Sequence, residues 1–141
     1  MLVKMEKTLT IIKPDGVAHG FVGKIIQKFE EKQFQIQAAK MLHLTPKQAA
    51  GFYAVHEGKL FFPSLLQYIS SGPILVMVLE RENAISQLRE LMGATDPAKA
   101  AEGTIRKLYA TSIEKNVIHG SDAPETAQTE INYFFNALEQ V

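Results

Sequence analysis

The chain has 141 residues, 46% of them hydrophobic and 21% charged, which suits a single globular domain with a real core spanning residues 1–141. Fifteen basic residues balance fifteen acidic ones, so no net charge argues for non-specific binding to nucleic acid or an anionic membrane. There is no cysteine, which excludes disulfides and thiolate metal sites and suits a reducing compartment. Met1 to Leu9 carries Lys4, Glu6 and Lys7 without a long apolar run, so it does not read as a signal peptide. The longest apolar run, Ile74 to Leu79, is too short to span a bilayer, and the expectation is a soluble cytoplasmic protein.

Thr8-Leu9-Thr10-Ile11-Ile12 is β-rich and stops at Lys13-Pro14-Asp15-Gly16, whose Pro-Asp-Gly is turn chemistry. Lys13 therefore sits at a strand end, where a rigid scaffold often presents functional groups, although an isolated lysine is more often a plain surface residue. Val22, Ile25, Ile26 and Phe29 follow helical spacing, and Phe34 to Ala38 alternates like a half-buried strand. Thr45-Pro46-Lys47-Gln48 reads as a capped helix start carrying Ala49, Ala50, Phe52 and Tyr53. His56 to Phe62 reads as a connection, and Pro63 opens a short helix that ends at Gly72-Pro73.

Ile74 to Leu79 is continuously apolar, as expected of a central strand buried on both faces. Asn83 can cap a helix whose apolar side is Ala84, Ile85, Leu88, Leu91 and Met92, with Arg89 off that stripe. Gly93 to Lys115 has little periodicity, and long irregular segments in compact domains are often functional. Val117-Ile118 suits a last short strand. A final helix carries Ala127, Ile131, Phe134, Phe135 and Leu138 on one face, with Ser121 or Asp122 as cap and Glu130 between apolar positions. The order is close to β-α-β-β-α-β with insertions. That predicts an α+β, ferredoxin-like (split βαβ) fold, a four-stranded antiparallel sheet with helices packed on one face.

Asn116-Val-Ile-His119-Gly-Ser-Asp122 concentrates the chemistry. A histidine near neutral pH serves as nucleophile, proton carrier or ligand, and the helix start beside it offers free N–H groups to an anion. By itself a lone histidine in a turn is as easily a packing residue. Standard nucleotide loops are missing: Ala18-x-x-x-x-Gly23-Lys24-Ile25 lacks the first glycine and the hydroxyl of a P-loop. The four histidines show no H-x-x-x-H spacing, and no G-x-S-x-G occurs.

Taken in order, Thr8-Leu-Thr-Ile-Ile-Lys13-Pro-Asp15, Gly51-Phe-Tyr53, Phe61-Phe62, Ser71-Gly-Pro73, Arg89-Glu-Leu-Met-Gly-Ala-Thr95-Asp-Pro97, Gly103-Thr-Ile-Arg106 and Asn116 to Asp122 closely resemble the nucleoside diphosphate kinase family. The resemblance runs from about Lys7 to about Phe135. It implies a ping-pong reaction in which a nucleoside triphosphate gives its γ-phosphate to His119, attacking through Nδ1, and the phosphohistidine passes it to a nucleoside diphosphate. Glu130 would hold the other ring nitrogen, supported by Ser121. Arg89, Thr95 and Arg106 would bind the β- and γ-phosphates, Lys13 the phosphate and the ribose 3′ hydroxyl, Tyr53 would lie beside the γ-phosphate, and Asn116 would hold the sugar. No carboxylate is expected opposite the phosphates.

Phe61 would stack on the base, with Ile113 on its other side, while Phe62 suits the core. A stacked π-face accepts any base, so broad base and sugar tolerance is expected. Mg²⁺ would ride on the nucleotide phosphates without a dedicated protein site. The matching positions put the phosphate grip on scattered side chains, so the last helix matters mainly as the carrier of Glu130. The family also implies a homo-oligomer, tetramer or hexamer, and the short tail after Phe135 favours a tetramer. Lys59-Leu60, Lys107-Leu108-Tyr109, Ala123 and Lys24 depart from the family's usual residues. Two rivals remain at this level: a non-catalytic nucleotide-binding protein of the same fold, and an assembly module whose nucleotide site is secondary.

Overall fold

The structure is a computed structural model and describes residues 4–141. Four strands, β1 (Met5–Ile12), β2 (Gln35–Leu42), β3 (Ile74–Glu82) and β4 (Ile118–Gly120), form one sheet in the order β2-β3-β1-β4. Every pairing is antiparallel. β1 and β2 therefore run the same way with β3 inserted between them, which is the split βαβ arrangement expected from the element order.

Helices cover both faces of the sheet, not one. The alternation of β3 explains why. Ile74, Val76 and Val78 join Leu9 and Ile11 in one core with Ala49 of α3 (Pro46–Phe52), Ile69 of α4 (Phe62–Ile69) and Ile131 of α7 (Pro124–Phe134). Leu75, Met77 and Leu79 join Ile12 in a second core with Phe29 of α2 (Val22–Glu31), Leu88 of α5 (Ala84–Met92) and Ile105 of α6 (Ile105–Tyr109). A strand with no polar alternation needs an apolar layer on each side.

Local chemistry sets several element ends. Thr45 accepts from the Gln48 backbone while the Gln48 side chain accepts from the Thr45 backbone, a full capping box that starts α3. The Pro-Asp-Gly segment is not an open turn but a single helical turn, α1 (Pro14–Ala18). Asn83 does not cap α5; it sits at φ +53° with no side-chain cap bond, and Glu6 of β1 accepts from the Ile85 backbone at 2.8 Å instead. Neither Ser121 nor Asp122 caps α7, whose cap position is Ala123 without a side-chain bond.

The segment from Gly93 to Lys115 is more regular than its sequence suggests. Asp96 caps a 3₁₀ turn over Pro97–Lys99, and Thr104 caps α6. The departure at 107–109 has a packing role: Tyr109 lies 4.6 Å from the Phe21 ring, against which Lys24 also rests. Leu138 leaves the α7 face and is 96% exposed in a separate turn, whereas Phe135 is buried.

Among the described residues one buried side-chain group is left over. Thr8 is 0% exposed and its hydroxyl has no hydrogen-bond partner. An unsatisfied buried hydroxyl costs about 1–3 kcal/mol, and valine has nearly the same shape without it. Thr8→Val is expected to raise unfolding free energy by about 1 kcal/mol in urea denaturation, and a loss of stability would contradict this.

Candidate active site

A cavity of about 440 Å³ opens between the α3–α4 hairpin and the C-terminal end of β1. Its walls bring together Lys13, Tyr53, Arg89, Thr95, Arg106, Asn116, His119 and Glu130, which are far apart in sequence. Ser121 lies behind this wall, fully buried. Phe61 is not in the cavity lining. It stands half-exposed at the N-terminus of α4, 5.3 Å from the His56 ring, with Lys59 Nζ 5.7 Å above it. Phe62 is partly buried against the first core.

The sheet aims the histidine. In the β1–β4 register His119 is opposite Ile11, so it faces the α3, α4 and α7 layer. The next residue is glycine, and a Cβ on Gly120 would come within 2.6 Å of Met92 Sδ and 3.0 Å of Leu88 Cδ2, so α5 packs close against β4 there. Thr10 donates to the His119 carbonyl at 2.8 Å, and Phe52 packs edge-on at 5.5 Å from the imidazole.

His119 Nε2 lies 2.9 Å from Glu130 Oε1. A carboxylate only accepts, so this bond assigns the imidazole proton to Nε2 and leaves Nδ1 with its lone pair. Glu130 is itself held, because Ser121 donates to the same oxygen at 2.7 Å. The Ser121 hydroxyl in turn accepts from the Leu9 backbone at 3.3 Å, which ties the pair to the central strand.

β4 begins one residue later than its sequence suggests, and the reason is a γ-turn. Ile118 N donates to Asn116 O at 2.8 Å, and Val117 between them has φ +74°. A β-branched residue there costs about 1–3 kcal/mol. It persists because Val117 is buried, its carbonyl accepts from Lys13 N at 2.7 Å, and Gly16 has no side chain to collide with it.

The cations have no carboxylate partner among the described residues. Lys13 Nζ donates to Asn116 Oδ1 at 2.8 Å. Arg106 donates to the carbonyls of Gly93 and Ile118 at 3.0 and 2.8 Å, and Arg89 reaches the Gly120 carbonyl at 3.5 Å. Burial, then the Arg106 charge, lowers Lys13 to about 8 against the opposing pull of Asp15. Burial and Arg89 lower Arg106 to about 10. Burial, then Glu130, pushes the Tyr53 phenol up. Positive groups that are desolvated and crowded in this way favour an anion between them.

Two titratable cavity residues had no role at the site from sequence. His56 lines it, its pKa lowered by desolvation, then by Lys59 and His119, with Asp122 opposing. Asp122 also lines it, a cavity carboxylate in addition to Glu130. A histidine in a connection and an acid before a helix carry no local signal of cavity exposure. No group of three or more His, Cys, Asp or Glu side chains among the described residues could hold a metal ion.

A family model described as nucleoside diphosphate kinase matches residues 6–140. A nucleoside diphosphate kinase of Desulfosudis oleivorans is 57% identical over 135 residues, covering 96% of this chain and 97% of its own. The crystal structure of the Aquifex aeolicus nucleoside diphosphate kinase superposes with a TM-score of 0.96 at 45% identity, covering 98% of this chain and all of that one. A halophilic nucleoside diphosphate kinase from Halobacterium salinarum, determined in complex with CDP, gives 0.94 at 41% identity and covers 98% of this chain and 92% of that one.

The lowered Lys13 generates a prediction about protons. Below pH 8 the amine is charged before and after an anion binds. Above pH 8 it is largely neutral in the free protein and must take up a proton to meet the anion. Calorimetric titration with CDP, whose diphosphate is fully ionised at pH 9, run at that pH in two buffers of different ionisation enthalpy, is expected to show uptake approaching one proton per site. Lys13→Met is expected to abolish the uptake, and buffer-independent heats in the unmodified protein would contradict the account.

Proposed function

The chain belongs to the nucleoside diphosphate kinase family, and on that premise we propose how its own residues carry the reaction. The enzyme transfers the γ-phosphate of a nucleoside triphosphate, typically ATP, to a nucleoside diphosphate by a ping-pong route. We assign the carrier to His119. Its Nδ1 attacks the γ-phosphorus in line, the P–O bond to the β-phosphate breaks, and the nucleoside diphosphate departs with that electron pair. The second half runs the same step backwards onto the incoming diphosphate. The Glu130 contact supports this reading most directly, because it fixes the tautomer whose Nδ1 is free and stabilises the positive ring formed on phosphorylation.

Phosphoryl transfer asks mainly for placement and for positive charge around the equatorial oxygens. Arg89, Arg106 and Lys13 supply that charge, Thr95 adds a hydroxyl, and Tyr53 stands beside the γ-phosphate. Asn116 holds the sugar, and Lys13 reaches the phosphate and the ribose 3′ hydroxyl. Phe61 stacks on the base, which accounts for acceptance of purines, pyrimidines and deoxy forms. A divalent metal is compatible with nucleotide chemistry, and we propose Mg²⁺. The donor set suits an ion carried by the phosphates, because Glu130 is engaged by His119 and Ser121 and leaves Asp122 as the one other cavity carboxylate. The ion would neutralise phosphate charge there.

Among the described residues no helix is long and apolar enough to cross a membrane. The cysteine-free sequence suits the reducing cytoplasm, where we place the enzyme as one domain. We further propose a homo-oligomer, tetramer or hexamer; the half-exposed Leu108 supports such contacts.

Incubation with γ-labelled ATP tests the carrier. The expected result is an acid-labile, base-stable label on the unmodified chain and none on His119→Ala, with turnover reduced at least about 10⁴-fold. Equal labelling of the variant would overturn the assignment, and a chain that never labels would favour a non-catalytic nucleotide-binding protein.

A further inference from the structure

On the reading that the base stacks on Phe61, it lies between two exposed apolar side chains, with Ile113 on its other side. Phe61 is 50% exposed at the start of α4, and Ile113 is 60% exposed in the turn that precedes Asn116. The two side chains belong to different parts of the fold. Phe61 belongs to the α3–α4 hairpin, whereas Ile113 belongs to a turn closed on itself, in which Thr111 N donates to Lys115 O at 3.1 Å and Lys115 N donates to Ser112 Oγ at 3.0 Å. Nothing in that internal bonding fixes the turn's distance from α4.

One bond does. Ser64 donates to Glu114 Oε1 at 2.7 Å, and among the described residues it is the only side-chain hydrogen bond leaving the 111–115 turn. Ser64 is one helical turn beyond Phe61, and Glu114 follows Ile113 directly. Behind this bond Gln67, Tyr68 and Ser71 of the α4 end line a cleft of about 250 Å³ with Glu114 and Lys115, so the helix and the turn otherwise stand apart. We propose that the Ser64–Glu114 hydrogen bond is a clasp that fixes the gap between Phe61 and Ile113, and so sets how tightly any nucleobase is held. Ser64 and Glu114 are positioning residues, and the proposal rests on the reading that the base stacks on Phe61.

Electrostatics gives the clasp a distinctive sign. A carboxylate near a triphosphate repels it, so deleting Glu114 for its charge alone would tighten nucleotide binding. The clasp requires the opposite for a nucleotide and no weakening for a ligand without a base. Breaking it by either partner removes the same bond, so the two effects do not add.

The test measures dissociation constants of ADP and of pyrophosphate by calorimetry for Ser64→Ala, Glu114→Ala, their double variant, Glu114→Gln and Phe61→Ala. Ser64→Ala and Glu114→Ala are each expected to weaken ADP about three- to tenfold, with the double variant no worse than either. Glu114→Gln, which keeps the acceptor, is expected to stay near the unmodified value. Pyrophosphate is expected to bind no more weakly in any of them. In turnover, KM for nucleotide rises and kcat at saturation holds. If Phe61→Ala weakens ADP but the two clasp variants do not, the clasp is wrong and stacking stands. Additive effects, or equal weakening of pyrophosphate, also overturn the clasp. If Phe61→Ala leaves ADP unchanged, the stacking reading fails and the clasp with it.

Discussion

The hydrogen bond between His119 Nε2 and Glu130 Oε1 is the contact on which the site depends. It converts a general-purpose imidazole into one with a fixed proton, a fixed orientation and a single available nitrogen. The contact exists only because three layers agree. β1 places His119 opposite Ile11, the Ile131 and Phe134 side chains seat α7 on that same face, and Ser121 pins the Glu130 carboxylate to the backbone of Leu9. A shift of β4 by one residue would turn the imidazole to the opposite face of the sheet. The γ-turn at Val117 and the absence of a Cβ at Gly120 guard against that shift, one from each side of the histidine.

The second constraint is electrostatic. Lys13, Arg89 and Arg106 are held by carbonyls and an amide rather than by carboxylates. Neutral acceptors orient a cation without cancelling its charge, so the field remains for the ligand. Burial first, then repulsion from a neighbouring arginine, lowers Lys13 and Arg106, so the cluster favours an anion. In the proposed reaction this is preorganisation: the like charges are gathered by folding, before the polyanionic transition state forms. Asp122 and Glu130 keep the cavity from being uniformly positive, and Glu130 lies against His119.

Much of this was legible in the sequence, and the rest was hidden for physical reasons. The Thr45 capping box is a local pattern and reads directly. The unbroken run from Ile74 to Leu79 signalled burial on both faces, and it outweighed the general expectation of a one-sided sheet. The motif order placed Lys13, Arg89, Arg106, Asn116, His119 and Glu130 as candidates, and the fold gathers them in one cavity. What failed was long-range or strained. Glu6 caps α5 from 79 positions away, so Asn83 looked like the cap by proximity. A valine at positive φ has no sequence signature, because only surrounding structure makes it tolerable. Helical spacing carried Leu138 into α7, but the helix stops at Phe134.

The most direct measurement of the central claim is the site of attachment on the phosphorylated imidazole, read by nitrogen–proton and phosphorus NMR of the ¹⁵N-histidine-labelled phosphoenzyme. Phosphorus on Nδ1 of His119 is expected, with the proton retained on Nε2 against Glu130. Phosphorus on Nε2 would contradict it, because that nitrogen is the one the structure commits to Glu130.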